Sequence, residues 1–260
     1  MNIDLSHIAL QLETAVREAG GIIRTQWNEP RRIQHKGRID LVTQTDIAVE
    51  KALQESLSRI LPEADFLGEE SAESLDVDGL TWVVDPLDGT TNYAHKLPFV
   101  ATSVALWTGE EVGVGAIFNP ILEEMFIAVR GQGAFRNGER IHVTDTDSLQ
   151  DGLVATGFPY DADQQAGRIA VWLEKVLARS RGVRRYGSAA LDLAYLSCGN
   201  YDAYYEINLK PWDLAAGWLL VEEAGGRVSE FDPNAPFSLF SSSVLATNGP
   251  LHETMRELLV

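Results

Sequence analysis

The chain has 260 residues, 45% of them hydrophobic and 23% charged, with a formal net charge of -17 and a single cysteine. That length buries a substantial core, and the composition excludes a disordered, fibrous or disulfide-stapled chain. The acid surplus argues against nonspecific binding of nucleic acid, which needs dense Lys and Arg, and leaves any phosphate ester in need of a local cation such as a bound metal.

From Asp4 to Trp27, Leu5, Ile8, Leu12, Ala15, Ala19, Ile22 and Ile23 recur at helical spacing, which predicts a packing helix. This opening is neither a signal nor a transit peptide, and no run reaches membrane-spanning length, so a cytoplasmic protein without membrane contact is expected. The stretch from Pro30 to Asp46 is polar, and its Lys36-Gly37 and Asp40-Leu41-Val42-Thr43 read as a mobile loop. A capped helix follows to Ile60, stopped by Pro62. Asp46 falls in its first turn, where an acid is ordinary.

Two short apolar runs then end in acids. The first is Phe66-Leu67-Gly68-Glu69-Glu70-Ser71, and the second is Trp82-Val83-Val84-Asp85-Pro86-Leu87-Asp88-Gly89-Thr90-Thr91-Asn92. In the second, a strand delivers Asp85 to the sheet's edge and Pro86 stiffens a turn so that Asp88 points the same way. Gly89-Thr90-Thr91 then leaves backbone N–H groups free to receive a phosphate. Asp, Pro and Gly are also turn residues, and a lone D-P-x-D-G after a strand is a connecting loop more often than a metal site. Further acids at element ends weigh toward divalent metal ions bridged by a phosphate, and Asp213, at the mouth of the apolar helix Trp212-Asp213-Leu214-Ala215-Ala216-Gly217, is one more.

Residues 99 to 107, 111 to 118, 124 to 129 and 133 to 143 alternate as antiparallel strands, with turns at Gly109-Glu110 and Asn137-Gly138. Gly113-Val114-Gly115 lacks the third glycine and the following helix of a dinucleotide site, and there is no G-x-x-x-x-G-K-[ST]. From Leu153 strands and helices alternate: a strand to Thr156, a helix from Asp163 to Ala178, a strand near Arg184, a helix from Ser188 to Cys198, a strand from Asp202 to Glu206 and a helix from Asp213 to Ala224. A strand near Val244-Leu245-Ala246 and a last helix close the chain. Cys198 falls in the apolar pattern Leu191, Ala194, Tyr195, Cys198 and reads as a buried small side chain. The five histidines show no metal spacing. Such alternation stacks helices on sheets. Two halves, residues 1–145 and 146–260, are expected to share one cleft as a single unit.

The strings Gly68-Glu69-Glu70-Ser71, Asp85-Pro86-Leu87-Asp88-Gly89-Thr90-Thr91-Asn92 and Trp212-Asp213-Leu214-Ala215-Ala216-Gly217 resemble the signatures of the inositol monophosphatase family, lithium-sensitive and magnesium-dependent phosphomonoesterases. The resemblance runs from Asp40-Leu41-Val42-Thr43 and Asp46 to Glu222-Glu223-Ala224-Gly225-Gly226. Through Leu153-Val154-Ala155-Thr156-Gly157-Phe158-Pro159, Arg184-Arg185 and Gly187-Ser188-Ala189-Ala190-Leu191-Asp192-Leu193-Ala194-Tyr195 it is closest to the bacterial inositol-1-monophosphatase branch, which includes a transcription antitermination factor.

The resemblance implies an αβαβα layered α/β sandwich, the sugar-phosphatase fold shared with fructose-1,6-bisphosphatase, and hydrolysis of myo-inositol monophosphate by a metal-activated water. It implies two to three Mg²⁺ ions: Glu69, Asp85 and the Leu87 carbonyl hold one, Asp85, Asp88 and Asp213 a second, and a weaker third lies near Glu69. Thr90 with Asp46, assisted by Glu70, would take the attacking water's proton. Leu87, Asp88, Gly89, Thr90, Arg184, Gly187, Ser188, Ala189, Glu206 and Asp213 would meet the substrate. Glu206 would accept from polyol hydroxyls, although a solvated strand-end acid is an alternative for it. Other readings are a broader sugar, nucleotide or histidinol phosphate phosphatase, or an antitermination partner of RNA polymerase or its elongation factors, with or without phosphatase activity. The family also implies a homodimer.

Overall fold

The computed structural model describes residues 3–29, 33–35, 41–75, 77 and 79–260. Helix α1 (Leu5–Gln26) is capped by Asp4, whose carboxylate accepts from the Ser6 and His7 amides. Strands β1 (Ile33–His35) and β2 (Leu41–Thr43) pair antiparallel inside the stretch expected to be a loop. Lys36, Gly37 and Asp40 lie outside the described residues. Helix α2 (Gln44–Ile60) starts from a capping box in which Thr43 and Asp46 bond reciprocally.

A seven-stranded sheet follows in chain order: β3 (Asp65–Gly68), β4 (Leu80–Asp88), β5 (Ala101–Thr108), β6 (Val112–Asn119), β7 (Glu124–Val129), β8 (Gly133–Arg136) and β9 (Glu139–Ile141). Helix α3 (Thr90–Ala94) interrupts between β4 and β5. β3 and β4 are parallel and every later pair is antiparallel. The β8–β9 turn is the expected one, with Asn137 (φ 49°) and Gly138 (φ 82°) both left-handed.

The chain continues through β10 (Leu153–Thr156), α4 (Ala162–Leu177), β11 (Gly182–Arg184), α5 (Ala189–Ser197), β12 (Ala203–Ile207), α6 (Pro211–Glu223), β13 (Arg227–Ser229), β14 (Ser243–Thr247) and α7 (His252–Leu259). A second sheet has the order β11-β10-β12-β14-β13. Helices α1 and α2 cover one face of the first sheet, α5 and α6 lie between the sheets, and α4 and α7 lie on the far side of the second. These are the five layers of the expected αβαβα sandwich.

Helix α6 explains the arrangement. It is apolar on all sides, with Trp212, Leu214, Ala215, Ala216, Leu219, Leu220 and Val221 buried, and it packs on strands of both sheets. Truncating Leu219 or Leu220, each 0% exposed, to Ala costs about 2–5 kcal/mol on this ground. Its start at Pro211 brings Asp213 to the third helical position, where the carboxylate accepts from the Lys210 amide at 2.7 Å.

Four local readings need correction. β4 does not end at Asp85: it runs through Pro86 to Asp88, and its register with β5 shifts between those two acids. The proline is tolerated because a bulge asks no ladder N–H of it. β13 went unpredicted because three residues carry too little alternation to read. α6 begins two residues before Asp213 because proline favours the first helical position. Cys198 is only half-buried, and burial pushes its thiol above the usual range. Among the described residues no helix is long and apolar enough to cross a membrane.

Candidate active site

The bulge in β4 organises the site. Asp85 is 2% exposed, and its Oδ1 accepts from the Leu87 amide at 2.9 Å, so the strand's own backbone fixes the carboxylate. Asp88 follows the shifted register, and its Oδ2 accepts from Ser188 Oγ at 2.6 Å and from the Ala190 amide at 2.8 Å. Those donors stand at the start of α5, so one acid ties the first sheet to the middle helical layer. Gly89 takes φ 86°, and a Cβ there would stand 2.8 Å from the Phe99 carbonyl oxygen. Glycine alone meets both demands at the turn into α3.

Glu69 and Glu70 follow β3. The Glu69 amide donates to the Val84 carbonyl at 3.1 Å, and the Glu70 amide donates to Glu50 Oε2 at 2.8 Å. Glu50, buried on α2, thereby anchors the backbone at Glu70, a role the sequence pattern did not flag.

Thr90 Oγ1 stands 3.1 Å from Asp46 Oδ1 and 3.0 Å from the Leu87 carbonyl oxygen, and its one proton goes to one acceptor at a time. Asp46 is 1% exposed, and its other oxygen accepts from the Thr43 amide and the Thr43 hydroxyl. Burial raises its pKa, and these donors pull it back.

The electrostatics identify the cluster. Burial, then the charges of Glu69, Asp88 and Asp213, hold Asp85 well above the carboxylate range, and it shares a hydrogen bond with Glu69. Asp213 is raised well above that range by burial and by Asp88, with Glu69 and Glu206 adding to it. Asp88 is raised by burial despite its donors. Four acids from three distant stretches therefore feel one another.

Among the described residues, however, no three or more His, Cys, Asp or Glu already stand in metal-holding geometry. Each aspartate keeps one oxygen on a protein donor, and like charges without a counter-ion do not close on a common point. The chemistry of the set still fits a divalent cation. All of its groups are hard oxygens, and partly buried acids pressed together call for positive charge.

Asp88, Gly89, Thr90 and Asp213 open onto a cleft of about 420 Å³ that also reaches Gly187, Ser188, Ala189 and Glu206. Glu69, Glu70, Asp85 and Asp46 do not reach its wall. Glu206 is 8% exposed and accepts from the Tyr204 hydroxyl. Burial raises its pKa to about 7, with Tyr204 and Arg185 opposing the shift. Gly157 lies against it, and any Cβ there would overlap the carboxylate.

Of the arginine pair, Arg185 lines the cleft, its guanidinium 5.3 Å from the centre of the Phe158 ring. Arg184 is exposed, donates to the Val183 carbonyl at 3.1 Å and does not line the cleft, contrary to expectation. The cleft also takes in Asp192, Tyr160 and Lys210, none of which was singled out. A lone acid inside the apolar run Ala189 to Leu196 was the available signal for Asp192.

A five-layer sandwich with an acid-lined cleft at its element ends defines the class of the sugar-phosphatase fold. The model of the inositol monophosphatase family matches residues 4–260. Inositol monophosphatase 2 of Solanum lycopersicum is 41% identical over 251 residues, 92% of either chain. Nus factor SuhB of Salmonella typhimurium is 41% identical over 220 residues, 84% of this chain and 82% of that one. The solved structure of the extragenic suppressor protein suhB from Bartonella henselae superposes with a TM-score of 0.90 at 38% identity, covering 96% of each chain. The chain belongs to the inositol monophosphatase family.

Proposed function

We propose that this chain is an inositol-1-monophosphatase: it hydrolyses a phosphomonoester of myo-inositol to inositol and phosphate, with Mg²⁺ as cofactor. The observation that supports the reading is the mutual electrostatic pressure among Glu69, Asp85, Asp88 and Asp213, acids from two strand ends and a helix start, of which Asp88 and Asp213 line the cleft. Glu69, Asp85 and the Leu87 carbonyl would hold one ion and Asp85, Asp88 and Asp213 another, with a third near Glu69. Magnesium supplies Lewis-acid charge for the phosphoryl oxygens and the departing alkoxide and lowers the pKa of the attacking water.

The chain's own groups do the rest. Thr90 orients the water through its hydroxyl, and Asp46, held by Thr43 and Thr90, accepts the proton, with Glu70 alongside. The Gly89 and Thr90 amides receive phosphate oxygens. Glu206 accepts from ring hydroxyls, and with Gly187, Ser188 and Ala189 it shapes the leaving-group end. An acid there disfavours a second phosphate, so a monophosphate of a neutral polyol is preferred over a bisphosphate. Inhibition by Li⁺, a homodimer and a cytoplasmic location complete the reading.

Phosphate release from inositol 1-phosphate tests it, with wild type beside Asp88→Asn and with a chelator. Substantial turnover surviving in either condition would refute the metal assignment.

A second reading is favoured by the 41% identity to a protein named as a Nus factor. The acidic chain would contact a basic surface of RNA polymerase or an elongation factor, with no direct hold on nucleic acid. Normal growth on Asp88→Asn but not on a deletion would support it.

A further inference from the structure

Asp192 lines the cleft and has no part in the reading above. It is the fourth residue of α5, 1% exposed, among buried Ala189, Ala190, Leu191, Leu193 and Ala194. Among the described residues its Oδ1 is buried without a hydrogen-bond partner. Burial, then the charges of Glu206 and Asp88, push its pKa well above the carboxylate range, and Arg185 opposes them. The helix dipole favours an acid near this end, but an exposed carboxylate would gain that without being buried.

A buried carboxylate oxygen left without a partner works against folding. Such groups persist where a ligand supplies the missing partner. Around Asp192 the surroundings are those of a binding site. Glu206 stands near it with one oxygen on Tyr204, Gly157 keeps the space before Glu206 clear of side chain, and Arg185 brings donors from the same wall. Acceptors beside a donor fork suit hydroxyls, which both give and take a proton.

We infer that Asp192 is a substrate-contacting residue: with Glu206 it floors the leaving-group end of the cleft and accepts a hydrogen bond from a ring hydroxyl of the polyol. The inference rests on the phosphomonoesterase reading and deepens it by naming a second acid that selects for hydroxyls. Glu206 alone would select for one hydroxyl; the two acids together select for neighbouring ones.

The test compares inositol 1-phosphate with cyclohexyl phosphate, the same ring without hydroxyls, in wild type and Asp192→Asn. The ratio of kcat/KM between the two esters falls about tenfold in the variant, mostly through KM, which is the size of one lost hydrogen bond to a charged group. Melting of the metal-free protein is measured in parallel, and the variant melts about 2–4 °C higher because folding no longer has to bury a group that ionises freely in the unfolded chain. A variant that melts lower, or that loses both esters equally, makes Asp192 a structural residue and overturns the inference. An unchanged ratio overturns it as well. Wild-type protein that releases phosphate from neither ester overturns the phosphomonoesterase reading and this inference with it, before any variant is made.

Discussion

Thr90 and Asp46 meet at 3.1 Å across 44 residues of chain, one at the mouth of the β4 bulge and the other in the capping box of α2. The aspartate that starts a helix is thus also the partner of the hydroxyl beside the clustered acids. Its two oxygens divide the work: Oδ2 is committed to Thr43, and Oδ1 faces Thr90.

Thr90→Ala and Asp46→Asn should each lower kcat by about 10²–10⁴-fold, with KM changing little, as expected for loss of general-base assistance. Thr90→Ser should keep most of the rate. Initial rates of phosphate release decide this, and a serine variant as slow as alanine would show that the methyl group, not the hydroxyl, matters.

Mg²⁺ should raise the melting temperature, because the folded acids of this cleft gain a cation that the unfolded chain does not organise. At a hundredfold excess over Kd the gain is about 2.7 kcal/mol. In Asp88→Asn the metal-free protein should melt higher than wild type and respond less to Mg²⁺, since one of the repelling charges is removed. Calorimetry with and without the ion reads both effects.

Glu206 gives a pH signature. Its folded pKa, about 7, lies above the usual glutamate value of 4.5, so between those limits the unfolded chain releases a proton that the folded chain keeps. Stability from this group is complete below about pH 4.5 and is lost as pH rises toward 7. Metal-free Glu206→Gln should therefore gain on wild type as pH climbs from 4.5 to about 7.5, by up to roughly 3 kcal/mol. Melting curves at the two ends check the sign.

Arg185→Ala should raise KM for inositol 1-phosphate several-fold, since Arg185 lines the cleft and offsets the charge of Glu206. Arg184→Ala, on the exposed side of β11, should change it by less than about twofold, as surface substitutions do. The opposite ranking would place the substrate against Arg184 instead.

Much of this was legible in the residues. The apolar stripe of α1, the four-strand alternation after Asn92 and the Asn137-Gly138 turn all have local causes, and the structure carries each of them. What escaped depends on distance. Nothing near Glu50 shows that its carboxylate will hold the Glu70 amide, because the contact closes only when α2 packs on the first sheet. Arg184 and Arg185 are neighbours of identical chemistry, and which one lines the cleft depends on how the chain turns as it leaves β11 after Arg184. The run of β4 through Pro86 was misread because a proline speaks for a turn unless a bulge excuses it. Asp192 was hidden by its helix, in which an acid near the start is commonplace.

Helix α6 is wedged between two sheets and carries Asp213 at its leading end. An intermediate that had built the first sheet but not the second would have three of the four acids and only one of the two faces that hold the fourth in place. Turnover is therefore a reporter of finished assembly: during refolding it should return no earlier than the last layer docks, and on heating it should vanish with the whole sandwich and not ahead of it.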